Sequence, residues 1–347
     1  MRPKEARVLY LSCLACILLI LGALTYNGWL HYDNYTSSLL GSATDTPTYP
    51  NGPNNGADSS AQKNEPDLSG LKYSFIMPTW KGDIPLAIEF LQSFMCLCTD
   101  YREINIHVIV SDSSEHGLFS AALDNLAPCG ERFGVFPVPP GNVGGPRPNV
   151  QVVNMFDIIP PAIHALTSGN ITADDTSALL REQGKFQYQT IKKLAAAAAL
   201  DYDWALWMDS ESVVVQPFSA RRAFEAYARA PTVWRSSNAS RDIMRRFMRR
   251  AEAVMGLPND TFGPDFWNLE SQQWFVEKAV VGDLMRYVEE VHGREFWAVW
   301  AAHGGPFEIQ LYNLHVQSRK LETADPMYQK YRIMETETQM GRYGVCK

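Results

Sequence analysis

The residues most able to do chemistry stand in the run Trp204 to Phe218, WALWMDSESVVVQPF, where Asp209 and Glu211 flank Ser210 between two apolar stretches. Carboxylates drawn into apolar surroundings without a cation cost several kcal/mol per ion. The run itself holds no Lys, Arg or His. A hard divalent cation, Mn²⁺ or Mg²⁺, is the expected compensation, because both take carboxylate and phosphate oxygen. The bland alternative is an acidic turn exposed to water between two strands. It fits an isolated Asp-x-Glu triplet well, and fits less well a triplet that interrupts two strand-like runs. A third use of two carboxylates is glycoside hydrolysis, which needs them about 5–9.5 Å apart and needs no metal.

A second candidate segment is Trp297 to Asn313, WAVWAAHGGPFEIQLYN. Gly304, Gly305 and Pro306 read as a loop opening a helix, with Pro306 near its first turn. Glu308 then falls in that first turn, where the helix dipole favours a carboxylate. A purely stabilising role is open to it there, as is general-base chemistry. His303 is on the loop, and His315 falls within or after the helix.

The elements that must position these residues alternate. Tyr73 to Thr79 is a short apolar run ending at a proline, as in a buried strand. Pro85 to Cys98 is long and apolar enough for a buried helix. INIHVIVSDSS gives a second strand, ending at Asp112, and VQVVNMF a third, after a Gly- and Pro-rich loop over Pro137 to Pro148. Lys185 to Leu200, with its alanine run, is a helix by propensity and leads into the acidic strand. This rhythm predicts an α/β domain, a mostly parallel sheet with helices on both faces. Ligands collect at the carboxyl ends of such strands, which is where Thr79, Asp112 and Asp209 fall. Phe266 to Glu290 reads as helical, and its Trp267, Trp274 and Phe275 suit either a core or the floor of a sugar pocket.

The segment YDWALWMDSESVVV followed by QPF resembles the DxD-bearing stretch of GT-A-fold glycosyltransferases, with Glu211 where many members have Asp. FIMPTWKGD and VIVSDSS resemble the first and second strands of such enzymes, in the same order. The resemblance covers roughly Tyr73 to Phe218. It implies a metal-dependent transfer from a nucleotide-sugar donor to a glycan acceptor, with Asp209 and Glu211 holding Mn²⁺ or Mg²⁺ on the donor diphosphate. It further implies that Thr79 and Asp112 meet the nucleoside, and that Lys192 or Lys193 meets the donor, although adjacent helix lysines more often face solvent. Trp, Gly-Gly, an acidic residue and a helix resemble the pattern of inverting members such as the β4-galactosyltransferases. That pattern implies Glu308 as general base, here displaced by Pro306 and Phe307. A C-terminal His supplies a third metal ligand in many members, which implies His303.

The N-terminal region sets the compartment. Val8 to Tyr26 carries no charge, and roughly 19 helical residues span about 28 Å, enough for a bilayer core. Arg2, Lys4 and Arg7 precede it, so the positive-inside rule places residues 1–7 in the cytosol and the remainder across the membrane. The expected organisation is a cytosolic tail (1–7), a signal-anchor (8–26), a stem (27–70) and a luminal catalytic domain (71–347) of a single-pass type II protein of the Golgi or endoplasmic reticulum. A cleaved signal peptide is the competing reading, with Gly22-Ala23 near a cut. The stem is dense in Ser, Thr, Asn, Gly and Pro and cannot bury enough apolar surface to fold. Sequons at Asn34, Asn170, Asn238 and Asn259 are compatible with a luminal chain. Cys96, Cys98, Cys129 and Cys346 allow two disulfides, with Cys96 and Cys98 too close to prefer each other; without a CxxC pair, zinc is not expected. A net charge of −7 over 347 residues argues against a nucleic-acid binder, which usually shows a basic face.

Overall fold

The computed structural model describes residues 68–236, 242–263 and 274–336. The expected tail, membrane span, the stem as far as residue 67, the sequons at Asn34 and Asn238, Trp267 and Cys346 lie outside the described residues. Among the described residues no helix is long and apolar enough to cross a membrane.

In chain order the elements are β1 Tyr73–Pro78, α1 Ile84–Leu97, β2 Asn105–Val110, α2 Ser113–Asp124, β3 Arg132–Phe133, β4 Phe136–Pro137 and β5 Val150–Asn154. Then come α3 Met155–Ile158, α4 Pro161–His164, α5 Ser177–Gln183, α6 Lys185–Ala199, β6 Trp204–Trp207, α7 Ala220–Arg229 and β7 Thr232–Ser236. The remainder is α8 Asp242–Val254, β8 Phe275–Glu277, α9 Lys278–His292, α10 Phe296–Ala302, α11 Glu308–Glu322, α12 Pro326–Gln329 and β9 Arg332–Thr336.

The central sheet has the order β5-β2-β1-β6-β8. Its first four strands are parallel and β8 runs antiparallel to β6. Strands covered on both faces read as continuous apolar runs, and every residue of YSFIMP in β1 is buried. From β1 the chain steps outward to β2 and β5, then returns across β1 to β6. Right-handed crossovers put α1 and α2 on one face and α6 on the other. The crevice between the carboxyl ends of β1 and β6 is therefore a topological switch point, where ligands bind in open α/β sheets.

Both faces are packed. Phe75 meets Phe94 of α1 and Phe224 of α7 with ring centroids 5.1 and 5.8 Å apart. On α6, Ile191, Leu194 and Ala195 to Ala197 are all buried; the short alanine side chains let this helix lie close to the sheet. Gly184, at φ +87°, separates α5 from α6, a conformation that costs an L-residue but not glycine.

Three elements differ from the sequence expectation. The acidic strand stops at Trp207: Met208 N still donates to Ile76 O, then Ser212 N closes a turn on Asp209 O at 3.1 Å. Beyond it, Val213 to Val215 form no strand, because β1 has already ended at Pro78 and offers no further edge. Phe275, expected in a helix, begins the short strand β8. The third strand ends at Asn154, whose side chain accepts from Phe156 N at 3.0 Å and starts α3. Cys96 pairs with Cys129, with Cα atoms 5.4 Å apart. Cys98 is a buried free thiol donating to Asp100 Oδ1.

Candidate active site at the β1–β6 crevice

Helix α6 supplies the centre of the site. Lys192 and Lys193 are adjacent, and about 100° per residue sends their side chains in different directions. Both are 2% exposed, so the solvated-surface expectation for this pair is corrected. The cation absent from the acidic run arrives from this helix. Lys193 Nζ lies 2.9 Å from Asp209 Oδ1 and 3.0 Å from Glu308 Oε1. The Trp274 ring covers it at 4.4 Å, and Gln189 Nε2 donates to the same Asp209 oxygen at 2.9 Å. Thr190 Oγ1 donates to Glu308 Oε2 at 2.7 Å. Burial by itself would lower the Lys193 pKa, but Glu308 and Asp209 outweigh it and raise the value above that of a free lysine. The ammonium is charged throughout the physiological range.

Lys192 does a different job from the expected donor contact. Its Nζ donates to Thr79 O at 2.5 Å and to Ser111 Oγ at 2.9 Å, tying the carboxyl ends of β1 and β2 together, and it lies 5.0 Å from the Tyr188 ring centre. Burial lowers its pKa to about 8, against the opposing pull of Glu115, Asp112 and Asp83. Any influence of Lys192 on a ligand passes through the strand ends that it holds.

The loop after β1 is fixed by two carboxylates that sequence reasoning passed over. Buried Glu115 accepts from Lys81 N at 2.9 Å and from Ser111 N at 2.7 Å. Asp83 accepts from Ser210 Oγ at 3.3 Å, which links this loop to the acidic turn. Asp112 caps α2, accepting from Glu115 N at 2.9 Å. Thr79 is 4% exposed, and its hydroxyl is buried without a hydrogen-bond partner. A buried hydroxyl is ordinarily paired with protein or with an enclosed water.

Asp209 and Glu211 are the carboxylates that would hold a divalent cation here. The bonds from Lys193 and Gln189 both land on Asp209 Oδ1, so Oδ2 remains an acceptor, and Glu211 is exposed. His303 does not join them. Its ring faces His292, with centroids 5.6 Å apart, and among the described residues no three His, Cys, Asp or Glu side chains gather to hold a metal. The third-ligand expectation is corrected: His303 closes α10, on a loop turned toward α9. His315 is a core residue, bonded through Nε2 to Asp283 at 3.0 Å and Tyr328 at 2.9 Å.

Glu308 is in the first turn of α11 as expected, but it is 5% exposed and both its oxygens are engaged. It is the counterion of Lys193 before it is anything else. Phe275 stacks on Tyr227 at 4.4 Å in the core and is no pocket floor, whereas Trp274 reaches the site as the cover of Lys193. The signal for Lys193 was available in the sequence: two lysines in an alanine-rich buried helix need partners from elsewhere.

No family model matches the sequence, and no curated protein matches it. Among solved structures, S. aureus TarS 1-349 is 12% identical and aligns over 61% of this chain and 49% of that one, with a TM-score of 0.30. A longer S. aureus TarS structure, also 12% identical, gives 62%, 30% and 0.29. Mouse xyloside xylosyltransferase 1, in its apo form, is 11% identical over 76% of this chain and 84% of that one, at a TM-score of 0.37. The chain spans about half the length of the shorter TarS structure. These are partial likenesses, and the chemistry of the site rests on its own residues.

Proposed function

We propose that this chain is a nucleotide-sugar-dependent glycosyltransferase acting on a glycan carried by protein or lipid. The observation that carries the reading is the meeting of Asp209, Lys193 and Glu308 just beyond the carboxyl end of β6, on the switch-point side of the sheet. In this reading Thr79 and Asp112, at the ends of β1 and β2, receive the nucleoside. Asp209 and Glu211 would hold Mn²⁺ or Mg²⁺, which when bound supplies Lewis-acid stabilisation of the leaving diphosphate. Lys193 is the fixed positive charge of the site, and an arriving diphosphate competes with Glu308 for it. Release from Lys193 would leave Glu308 Oε1 open to take the proton of an acceptor hydroxyl. The charge-free run at 8–26, behind three basic residues, supports a type II anchor with this domain in the lumen of the Golgi or endoplasmic reticulum.

One observation favours a second reading. Asp209 and Glu308 each have an oxygen within 3.0 Å of one nitrogen, so those oxygens are within about 6 Å of each other, near the spacing of a retaining glycoside hydrolase. The full chain, supplied with a panel of nucleotide-sugars and with Mn²⁺, EDTA or Asp209→Ala, separates the two. Metal-dependent release of one nucleoside diphosphate, lost in the variant, is expected. Glycosidic cleavage indifferent to EDTA would favour the hydrolase. A folded chain that turns over and binds no donor would leave only glycan binding.

A further inference from the structure

A solvent-facing aromatic platform stands beside Glu308. Phe186, in the first turn of α6, is 53% exposed. Its ring meets Phe307 edge-on with centroids 5.6 Å apart and Phe247 of α8 at 6.5 Å. Phe247 and Phe307 lie 4.3 Å apart, and Arg250 lies 5.7 Å from the Phe247 ring centre.

The platform is continuous with the candidate site along two routes. Phe307 precedes Glu308 directly. On α6, Phe186, Thr190 and Lys193 follow one helical face at i, i+4 and i+7, so their backbone positions are separated along the axis by about 6 Å from Phe186 to Thr190 and about 10 Å from Phe186 to Lys193. Thr190 and Lys193, the two residues that follow Phe186 on this face, are the ones that bond Glu308.

The platform is also held in place. Gln187 Nε2 donates to Gly304 O and Gly305 O at 3.3 and 3.4 Å, and Arg250 donates to Gly304 O at 2.9 Å. Gly305, at φ +60°, packs so closely that a Cβ there would come within 2.7 Å of Gln187 Cγ and of the Trp300 ring. A rigid exposed aromatic loses little entropy on binding and presents a π-face that suits the C–H face of a sugar.

We propose that Phe186, backed by Phe307 and Phe247, is the acceptor subsite, stacking the apolar face of a neutral pyranose whose hydroxyl then points toward Glu308. The assignment rests on the glycosyltransferase reading for its chemistry, but its binding test does not. Methyl β-glycosides of glucose, galactose, xylose and mannose are presented to the full chain, and saturation is transferred from protein aromatic protons to the sugar ring protons. At least one glycoside is expected to receive saturation on its C–H face, to lose it in Phe186→Ala, and to keep it in Phe186→Tyr. In a transfer assay with that glycoside as acceptor, Phe186→Ala should raise its KM about tenfold, the size of one aromatic contact, with a smaller change in kcat. Glycoside binding unchanged in Phe186→Ala, or no binding of any member to the well-folded wild type, overturns the proposal. Binding that follows Phe186 without turnover of any nucleotide-sugar upholds the subsite and sinks the transferase reading instead.

Discussion

At the scale of single residues the site is governed by one buried cation and what it neutralises. Breaking a buried charge pair by removing one partner is far more costly than the net worth of the pair, because the other charge stays behind. Lys193→Met should therefore destabilise the protein by about 3 kcal/mol, with Asp209 partly relieved by its greater exposure. Urea unfolding measures it, and a Lys193→Met/Glu308→Gln cycle should recover at least about 1 kcal/mol of that loss. A cycle that is merely additive would mean that the two groups do not interact in solution. Lys192 gives a pH signature of known sign. Its pKa falls from 10.5 in the unfolded chain to about 8 in the fold, so the unfolded state binds more protons between those values and stability rises with pH across that window. The contribution approaches about 3 kcal/mol at its limit. Wild type should gain stability from pH 8 to pH 10 relative to Lys192→Met, a gap read from the urea midpoints of the two proteins. A constant gap would show that Lys192 has an ordinary pKa.

Whole elements depend on polar ties that no single-residue pattern announces. Helix α11 is buried through most of its length, and it is locked to α9 and α12 by the contacts among Asp283, His315 and Tyr328. Arg286 pairs with the same carboxylate. Hydrogen bonding by His315 holds the Asp283 carboxyl well below the usual range, against the effect of burial, and Tyr328, His315 and Arg286 add to it. Burial keeps His315 below its ordinary value, with Asp283 opposing. Both signs agree: the carboxylate loses its contribution as pH falls, and the unfolded state takes up the histidine proton that the fold resists. Hydrogen exchange at pH 5 should accelerate in α11 and α12 before it does in β1 and β2, and Asp283→Asn should remove much of that difference. At the other end of the fold, Cys96–Cys129 closes a loop with a sequence separation of 33. Replacing both cysteines by serine should cost about 3–4 kcal/mol on loop-entropy grounds, read from thermal or urea unfolding under non-reducing conditions.

The whole molecule is organised by the reversal of strand order around β1, which brings the ends of β1, β2 and β6 to one crevice and sends α6 across it. The setting proposed for this domain has its own test at this scale. Asn170 and Asn259 are exposed on the described surface, so a luminal domain is open to glycosylation at both. Full-length chain made in eukaryotic cells should shift to higher mobility on treatment with peptide N-glycosidase, and the shift should shrink stepwise in Asn170→Gln and Asn259→Gln. A chain with no glycan at any sequon would argue against the secretory setting.

The sequence by itself determined the parts that local physics controls. Continuous apolar runs bounded by turns gave β1, β2 and the start of β6, because strands covered on both faces must read that way. Alanine content marked α6, and a glycine-proline turn before Glu308 marked α11. The residue types at the strand ends, Thr79, Asp112 and Asp209, were visible for the same reason. What only the tertiary structure decided was partnership. The charge opposite Asp209 comes from a helix earlier in the chain, and that charge also holds Glu308, more than a hundred residues farther along. Nothing in local spacing records such a pairing. Periodicity likewise failed at Phe275, where a strand of only three residues is set by the open edge of β6 rather than by its own pattern. His303 was a plausible ligand by residue type, and loop geometry turned it toward His292. Propensity acts within a few residues, whereas the desolvation of a carboxylate is settled by whichever cation the whole fold delivers to it.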